Sequence, residues 1–556
     1  MKVTALLIFI FITNTYGWFY GRPDPGASTT GGVWPLPVKS YDYNTTVLID
    51  PSSFTFTTSL TCNTIQKAIK RYKKWTFPVY TNMSNAMSSN GNTLTSMNIQ
   101  VDTSCNDKEY PYFNMDESYQ VIVPQIGGKG FIIAKTMWGA IRGMETFSQL
   151  VYRTSETTYQ VRSVSITDHP RFAYRGVLVD TTRHWVSVNV LKQVLDLMSQ
   201  NKFNVFHWHL VDSESFPYVS TKFPNLHKAG AYSPRHIYTP GDVKKIIEHA
   251  RLRGIRVIPE FDTPGHTGAW NGQKNLLSKC YDRDGNNDIL GNILDPTLPE
   301  NMQFIKEFFE EALSVFPDNS MHFGGDEVSS YILECWTRNA DVISRMKNMG
   351  FGDDTTQLLQ YYFQQLVNYV QNTRNGTQMI FWQEVLDMGV APSNSVAHVW
   401  KGGNIDEVNQ EIAQVTLNGH LAIVSSFWYL NYIKYGNDWG YLDSDNMRLR
   451  GLYYESDPQG FTGTQEQKDL VIGGEAIMWG EFVDGTNLVS RLFPRASAVA
   501  ERLWSVASMT KSADAAWPRL HEHRCRMMNR KFNVEPPNNP DYCPYEWNIS
   551  YDNVDE

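Results

Sequence analysis

From about residue 170 onward the chain keeps a rhythm that few folds accept. Short apolar runs, each long enough for one buried strand, alternate with helix-length amphipathic segments. The runs are Arg175–Asp180, Asn204–Leu210, Ile255–Pro259, Met321–Gly325, Gln378–Trp382, Val396–Trp400, Leu421–Ser426 and Ile472–Trp479. Helical spacing is clearest in Val188–Asn201, Pro240–Arg253, Pro299–Phe316 and Thr355–Arg374. Strands that alternate with helices pair in parallel, and eight such units close into a (β/α)8 barrel, an α/β fold of the TIM type. The stretch from about 430 to 470 breaks the rhythm and reads as a long loop.

Chemistry-bearing residues follow every run. Thr181, Thr182, Arg183 and His184 come after the first, and His209 and Asp212 end the second. Asp262 and His266 follow the third, Asp326 and Glu327 the fourth. Trp382 and Glu384 end the fifth, Trp400 the sixth; Trp428, Tyr429 and Asn431 follow the seventh, and Trp479 and Glu481 close the eighth. A parallel barrel opens all its strand C-termini on one face, where active sites sit. Within the set, Met321–Val328 packs two adjacent carboxylates behind two glycines. Carboxyl groups in different surroundings can hold different charges at one pH, which acid–base chemistry requires.

Residues 18–170 differ. Val47–Ile49, Ser96–Val101, Ser118–Val123 and Lys129–Ala134 suit strands, while Cys62–Trp75 and Trp138–Leu150 suit helices. This is a small α/β domain without a catalytic constellation, and Thr167–Arg171 is the expected junction. The catalytic barrel with a C-terminal extension then spans 171–556. Residues 1–17, a charged start with the apolar run Ala5–Ile12 and a small-residue end, read as a secretory signal too short to span a bilayer. No membrane segment is expected after its removal. Six cysteines fit an oxidising compartment, and the simplest pairing keeps each bond within one region: Cys62–Cys105, Cys280–Cys335 and Cys525–Cys543. Acceptor sequons stand at Asn44, Asn82, Asn375 and Asn548. The formal net charge of −9 without a basic stripe speaks against a nucleic-acid partner.

Carboxylates, one arginine, histidines and several tryptophans suit a sugar: indole faces stack on the C–H side of the ring, and acids work at the glycosidic oxygen. His207 and His209 share a strand face, which gives a metal site some weight. No phosphate-binding glycine loop in strand–helix context and no nucleophile elbow is found. The motifs become specific when read together. Asp180-Thr181-Thr182-Arg183-His184, Asn204 through Asp212, Pro259 through His266, His322 through Val328, Phe381-Trp382-Gln383-Glu384, Trp428-Tyr429-Leu430 and Gly474 through Glu481 resemble, in this order, the β-N-acetylhexosaminidases of glycoside hydrolase family 20, close to the lysosomal subunits.

That resemblance implies an exo-acting enzyme that removes terminal β-linked GlcNAc or GalNAc from glycoconjugates or chitin oligosaccharides, without cofactor or metal, by a substrate-assisted route. It makes Glu327 the general acid and base, and Asp326 the residue that orients the acetamido group. Tyr429 would donate to the acetamido oxygen, and Asp212 and His266 would relay to Glu327. Trp382, Trp400 and Trp479 would wall the pocket, Arg183 and Glu481 would bind sugar hydroxyls, and Asn431 belongs to the binding set. Two departures stand out. Ser213 replaces an Asp of some relatives, and Tyr432 supplies no charge where one lysosomal type has an Arg linked to sulfated substrates. The lysosomal enzymes are dimers, so the resemblance admits a homodimer, in a lysosome-like compartment or secreted. Two other classes fit the same residues: an inactive glycan-binding barrel, and a conventional retaining glycosidase with a protein nucleophile.

Overall fold

The computed structural model describes residues 28–78, 92–155, 158–282, 284–286, 293–389, 391–392, 394–432, 453–537 and 542–544. The signal at 1–17, the sequons Asn82 and Asn548 and half of the 430–470 stretch fall outside them. Asn44 and Asn375 are both exposed.

The N-terminal part is one sheet with two helices. Its strands are β1 (Lys39–Ile49), β2 (Thr55–Thr57), β3 (Thr93–Val101), β4 (Tyr119–Val123), β5 (Gly128–Ala134), β6 (Val151–Arg153) and β7 (Tyr159–Asp168), in the order β1-β3-β5-β4-β7-β6 with β2 on β3. Sequence reading leaves β7 unassigned, yet it pairs with β1, β4 and β6. Buried Ser163 and Asp168 occupy inward positions where an apolar residue would have marked the strand. Helix α1 (Asn63–Thr76) buries one stripe, Ile65, Ala68, Tyr72 and Trp75, as an amphipathic surface helix does. Helix α2 (Met137–Leu150) is buried at every residue.

The barrel is closed and parallel throughout. Its strands are β8 (Tyr174–Asp180), β9 (Val205–Val211), β10 (Arg256–Phe261), β11 (Ser320–His322), β12 (Gln378–Trp382), β13 (Val396–Val399), β14 (Leu421–Val424) and β15 (Val471–Met478), which pairs back onto β8. The strand expected at Met321–Gly325 stops at His322. Gly324 and Gly325 take positive φ of 66° and 100°, and a Cβ on Gly324 would lie 1.9 Å from Asp262 Oδ1. Only glycine lets the chain leave the sheet there.

The lower barrel interior is apolar, with Tyr174, Val205, Ile258, Ile380, Val396 and Ile423 packed together. Beneath it the N-terminal domain docks through a buried ion-pair lock. Glu117 lies 2.8 Å from Arg142 of α2 and 2.6 Å from Arg175 of β8. Arg142 also donates to the carbonyls of Phe203, Arg253 and Gly254, in the loops that enter β9 and β10. The small domain thus covers the N-terminal end of the barrel and leaves the C-terminal rim open.

The disulfides Cys62–Cys105, Cys280–Cys335 and Cys525–Cys543 form as expected. Among the described residues no helix is long and apolar enough to cross a membrane.

Candidate active site

Most of the residues expected at the strand ends meet in one cavity of about 200 Å³ at the C-terminal rim, while Thr181, Thr182, His184, Glu384 and Trp428 stand outside its lining. Arg183, Asp212, His266, Asp326, Glu327, Trp382, Trp400, Tyr429, Asn431, Trp479 and Glu481 all line it, with His209, Asp262 and Tyr432. Each is aimed by its own piece of backbone. After β14 the chain returns to β15: Leu430 N–H donates to Ile477 O and Ile477 N–H to Trp428 O, both at 2.8 Å. This pins Tyr429 over the cavity. Glu327 sits in left-handed backbone, φ 54°, and so does His266, φ 53°. Both are non-glycine residues in a sparsely populated region, the kind of local strain that gathers at functional sites.

Asp212, His266 and Glu327 form a row. His266 Nδ1 lies 3.1 Å from Asp212 Oδ1 and its Nε2 lies 3.4 Å from Glu327 Oε2. Burial disfavours charge on His266, but Asp326 and Asp212 outweigh it and keep the imidazole protonated well above its ordinary range. Burial likewise opposes the Asp212 charge, and His266, His209 and Arg183 overcome it, so Asp212 stays ionised. Glu327 is the exposed end, its carboxyl held below the usual range chiefly by the hydrogen bond from His266.

Asp326 behaves differently from its neighbour. Burial pushes its carboxyl up, while His266 and a hydrogen bond with Asp262 pull it down. Asp262 is pushed up more strongly, by burial and by the Asp326 charge. One oxygen of Asp262 accepts the Gly325 N–H at 2.8 Å. Both carboxyls are thus raised, that of Asp262 more strongly than that of Asp326. Asp326 Oδ1 is buried yet has no protein hydrogen-bond partner. Such an atom is costly unless a ligand donates to it.

Arg183 is clamped by Asp180 at 3.2 Å, Asp212 at 2.8 Å and Glu214 at 3.1 Å, with its guanidinium 5.2 Å from the centre of the Trp479 ring. Trp382 donates its Nε1–H to Glu260 at 2.8 Å and Trp400 donates to Glu384 at 3.0 Å. Those bonds fix the indole planes.

Sequence reading gave no role to Asp262, Glu260, Glu214 or Glu475. Glu260 and Asp262 stand inside the motif Pro259–His266 and Glu475 inside Gly474–Glu481, which was the available signal; Glu214 is recognisable only from its contacts. The metal reading of His207 and His209 meets an obstacle. His207 lies 2.7 Å from Glu475 and 3.1 Å from Glu260, and His209 lies 2.6 Å from Glu260 and 2.9 Å from Asp212. His209, hydrogen-bonded to a carboxylate through each ring nitrogen, has no lone pair to offer a metal.

A model of the glycosyl hydrolase family 20 catalytic domain matches residues 172–507, and a model described as beta-acetyl hexosaminidase like matches residues 33–150. Beta-hexosaminidase A of Caenorhabditis elegans is 46% identical over 98% of this chain and 97% of its own. The human beta-hexosaminidase subunit beta is 41% identical over 94% and 92%. Among solved structures, the Flavobacterium johnsoniae chitobiase superposes with a TM-score of 0.74 at 25% identity, covering 90% of this chain and 73% of that one. The Vibrio harveyi exo beta-N-acetylglucosaminidase in complex with N-acetylglucosamine shares the fold, with a TM-score of 0.74 at 22% identity over 93% and 80%. A catalytic-domain match over most of the barrel, on a rim that gathers paired carboxylates between indole walls, leads to one assignment: the chain belongs to glycosyl hydrolase family 20.

Proposed function

We propose that this exo-acting β-N-acetylhexosaminidase hydrolyses terminal β-linked GlcNAc or GalNAc by a retaining route in which the substrate supplies its own nucleophile. The observation that carries the reading is Asp326 Oδ1, a buried carboxylate oxygen without a protein donor on the cavity wall. It suits the N–H of an acetamido group. Tyr429 donates to the acetamido oxygen, which aligns that oxygen under the anomeric carbon. Trp382, Trp400 and Trp479 enclose the methyl and the sugar face, and Arg183, Glu481 and Asn431 meet the ring hydroxyls. Alignment of this kind converts the first step into an intramolecular attack of very high effective molarity.

The acetamido oxygen bonds to the anomeric carbon as the glycosidic C–O bond breaks, and Glu327 passes its proton to the leaving oxygen. Asp326 steadies the positive charge on the resulting oxazolinium. Water then loses a proton to Glu327 and attacks the same carbon from the vacated face as the bond to the acetamido oxygen breaks, which restores the neutral acetamide and retains the β configuration. The hydrogen bond from His266 holds the Glu327 carboxyl below its usual range and favours the ionised form. A bound sugar displaces water from around it, and desolvation favours the neutral acid that the first step needs.

The same reading takes 1–17 as a signal and 171 as the start of the catalytic domain, with glycans on Asn44, Asn82, Asn375 and Asn548. It makes the enzyme a homodimer of the secretory pathway, lysosomal or secreted. Light scattering on the purified protein tests the dimer.

A fluorinated series tests the nucleophile. Mono-, di- and trifluoroacetamido substrates weaken the attacking oxygen stepwise, and kcat/KM should fall steeply along them. A thiazoline mimic of the cyclic intermediate should bind far more tightly than product, as transition-state-like ligands do. A flat series, with a sugar trapped on a protein carboxylate, would favour a protein nucleophile instead. Absence of any turnover of an aryl GlcNAc glycoside would favour the glycan-binding alternative.

A further inference from the structure

The middle of the barrel is polar where TIM barrels usually pack branched aliphatic side chains. Glu260, Glu475, His207, His209, His322 and His398 are all fully buried there or nearly so. Part of this layer connects to the site in an unbroken line. Glu260 Oε2 lies 2.6 Å from His209 Nδ1, His209 Nε2 lies 2.9 Å from Asp212 Oδ2, and Asp212 Oδ1 leads to His266 and Glu327. The other oxygen of Glu260 accepts the indole N–H of Trp382 at 2.8 Å.

We infer that His209 and Glu260 are positioning residues of the reaction: His209 is a buried cation that fixes Asp212 and through it the His266–Glu327 pair, while Glu260 holds both His209 and the acetamido-pocket wall Trp382. This rests on the roles proposed above for Glu327 and Trp382.

Both neighbours of His209 are carboxylates, so each ring nitrogen donates and the ring carries a full positive charge. Asp180 adds to that field, and the edge of the Trp479 ring packs against the imidazole with centroids 5.0 Å apart. Glu260 in turn faces His207, His209 and His322. Burial holds His322 below the ordinary imidazole range, and its Nδ1 accepts the Gly324 N–H. Asp212 also takes Arg183 and the Ser213 N–H, so it cannot swing away from His266. Glu327 itself faces His266, Arg183, Asp212 and Asp326. One carboxylate below the site thus governs two separate parts of it: the orientation of the acid–base residue and that of the wall beside the acetamido group.

The test uses His209→Gln and Glu260→Gln in the full-length protein, with thermal stability measured alongside. His209→Gln removes a cation near Asp212, so every acid along the row should rise, and both limbs of the kcat/KM pH profile should move to higher pH by roughly half a unit. Turnover of chitobiose should fall by about tenfold or more, since a misaligned proton donor hurts poor leaving groups most. Glu260→Gln keeps an oxygen for Trp382 but turns a donor toward His209, which must then lose its charge. Its profile should shift in the same direction by less, and its affinity for the thiazoline mimic should stay near wild type. Should Glu260→Gln fail to fold, His209→Gln alone decides. Superimposable pH profiles and undiminished chitobiose turnover in a folded His209→Gln protein overturn the inference. Glu327→Gln run in parallel separates the two levels: if it retains chitobiose activity the mechanism above is at fault, and if it does not, only the inference is.

Discussion

The barrel buries charge at both ends, in two different ways. At the closed end Glu117 is gripped by Arg142 and Arg175, and Arg256 by Asp318 at 2.7 Å. Guanidinium groups do not lose their protons in proteins, so these charges are permanent and serve only to lock the small domain and the strand starts. At the open end the cations facing the carboxylates are mostly imidazoles, and neighbouring acids share protons. His266 sits among Asp212, Asp326 and Glu327, and burial and the Asp326 charge raise the carboxyl of Asp262. The contrast separates holding from reacting. Arginine makes a site that pH cannot alter, and histidine makes one that can move a proton.

That contrast can be broken at several points. Glu327→Gln should cut turnover of chitobiose by about 10² to 10⁴, the usual worth of a general acid, while leaving ligand binding and thermal stability close to wild type. Substrates with very acidic leaving groups should suffer less in the first step, and near wild-type hydrolysis of chitobiose would remove Glu327 from the role. Glu117→Gln should do the reverse. Two buried arginines lose their partner at a cost of about 3–5 kcal/mol in stability, readable by chemical denaturation, with kcat/KM unchanged in the folded enzyme. A change in kcat/KM without loss of stability would mean that the two ends are not separable.

Arg183→Lys sharpens the comparison, because Arg183 is the one guanidinium among the described residues that line the reactive end. Its planar fork serves three carboxylates at once and, in the function proposed above, the sugar as well, which an ammonium cannot do. The expected loss is about 1.5–3 kcal/mol in kcat/KM for a short GlcNAc substrate. An unchanged value would leave Arg183 as scaffolding.

The smallest effect is the pH dependence of stability. Burial resists the charge on His207, yet Glu475 and Glu260 push it up to about 9. Its contribution is complete below the unfolded value of 6.5 and is lost as pH rises through about 9. His209 adds to the same trend. At the closed end Lys202 is lowered to about 8 by burial, against Asp168 and Glu145, and contributes the opposite slope above that pH. Each group changes stability by at most about 1.4 kcal/mol per pH unit. Denaturation of wild type and His207→Gln between pH 6 and 9 should show a shallower decline in the variant, and parallel curves would argue that His207 is neutral when folded.

The barrel was legible because its strands are buried on both sides and so read as continuous apolar runs. The rim residues were legible because each follows a run. β7 was not, since Ser163 and Asp168 occupy its inward positions, and the aspartate is satisfied by distant partners: it accepts from Tyr119, Trp504 and the Val38 N–H. Glu475 escaped for a similar reason. It lies within the last strand, and its contacts with His207 and Tyr174 span hundreds of residues. Periodicity reports which side chains face inward, but not which polar partners await them there.

The barrel's seam has a consequence for how the enzyme is made. β15 pairs with β8, and Gly480 N–H donates to Asp180 across 300 residues of chain. A ribosome must therefore deliver the eighth strand before the first finds its last neighbour. Until then two unpaired strand edges are exposed, long-range closure is slow, and such edges invite aggregation. Arg183 and Glu481, which stand on either side of that seam, meet only at its closing. A nascent chain or a C-terminal truncation that ends before β15 is thus expected to be a chaperone client without a sugar pocket, however complete its first seven strands.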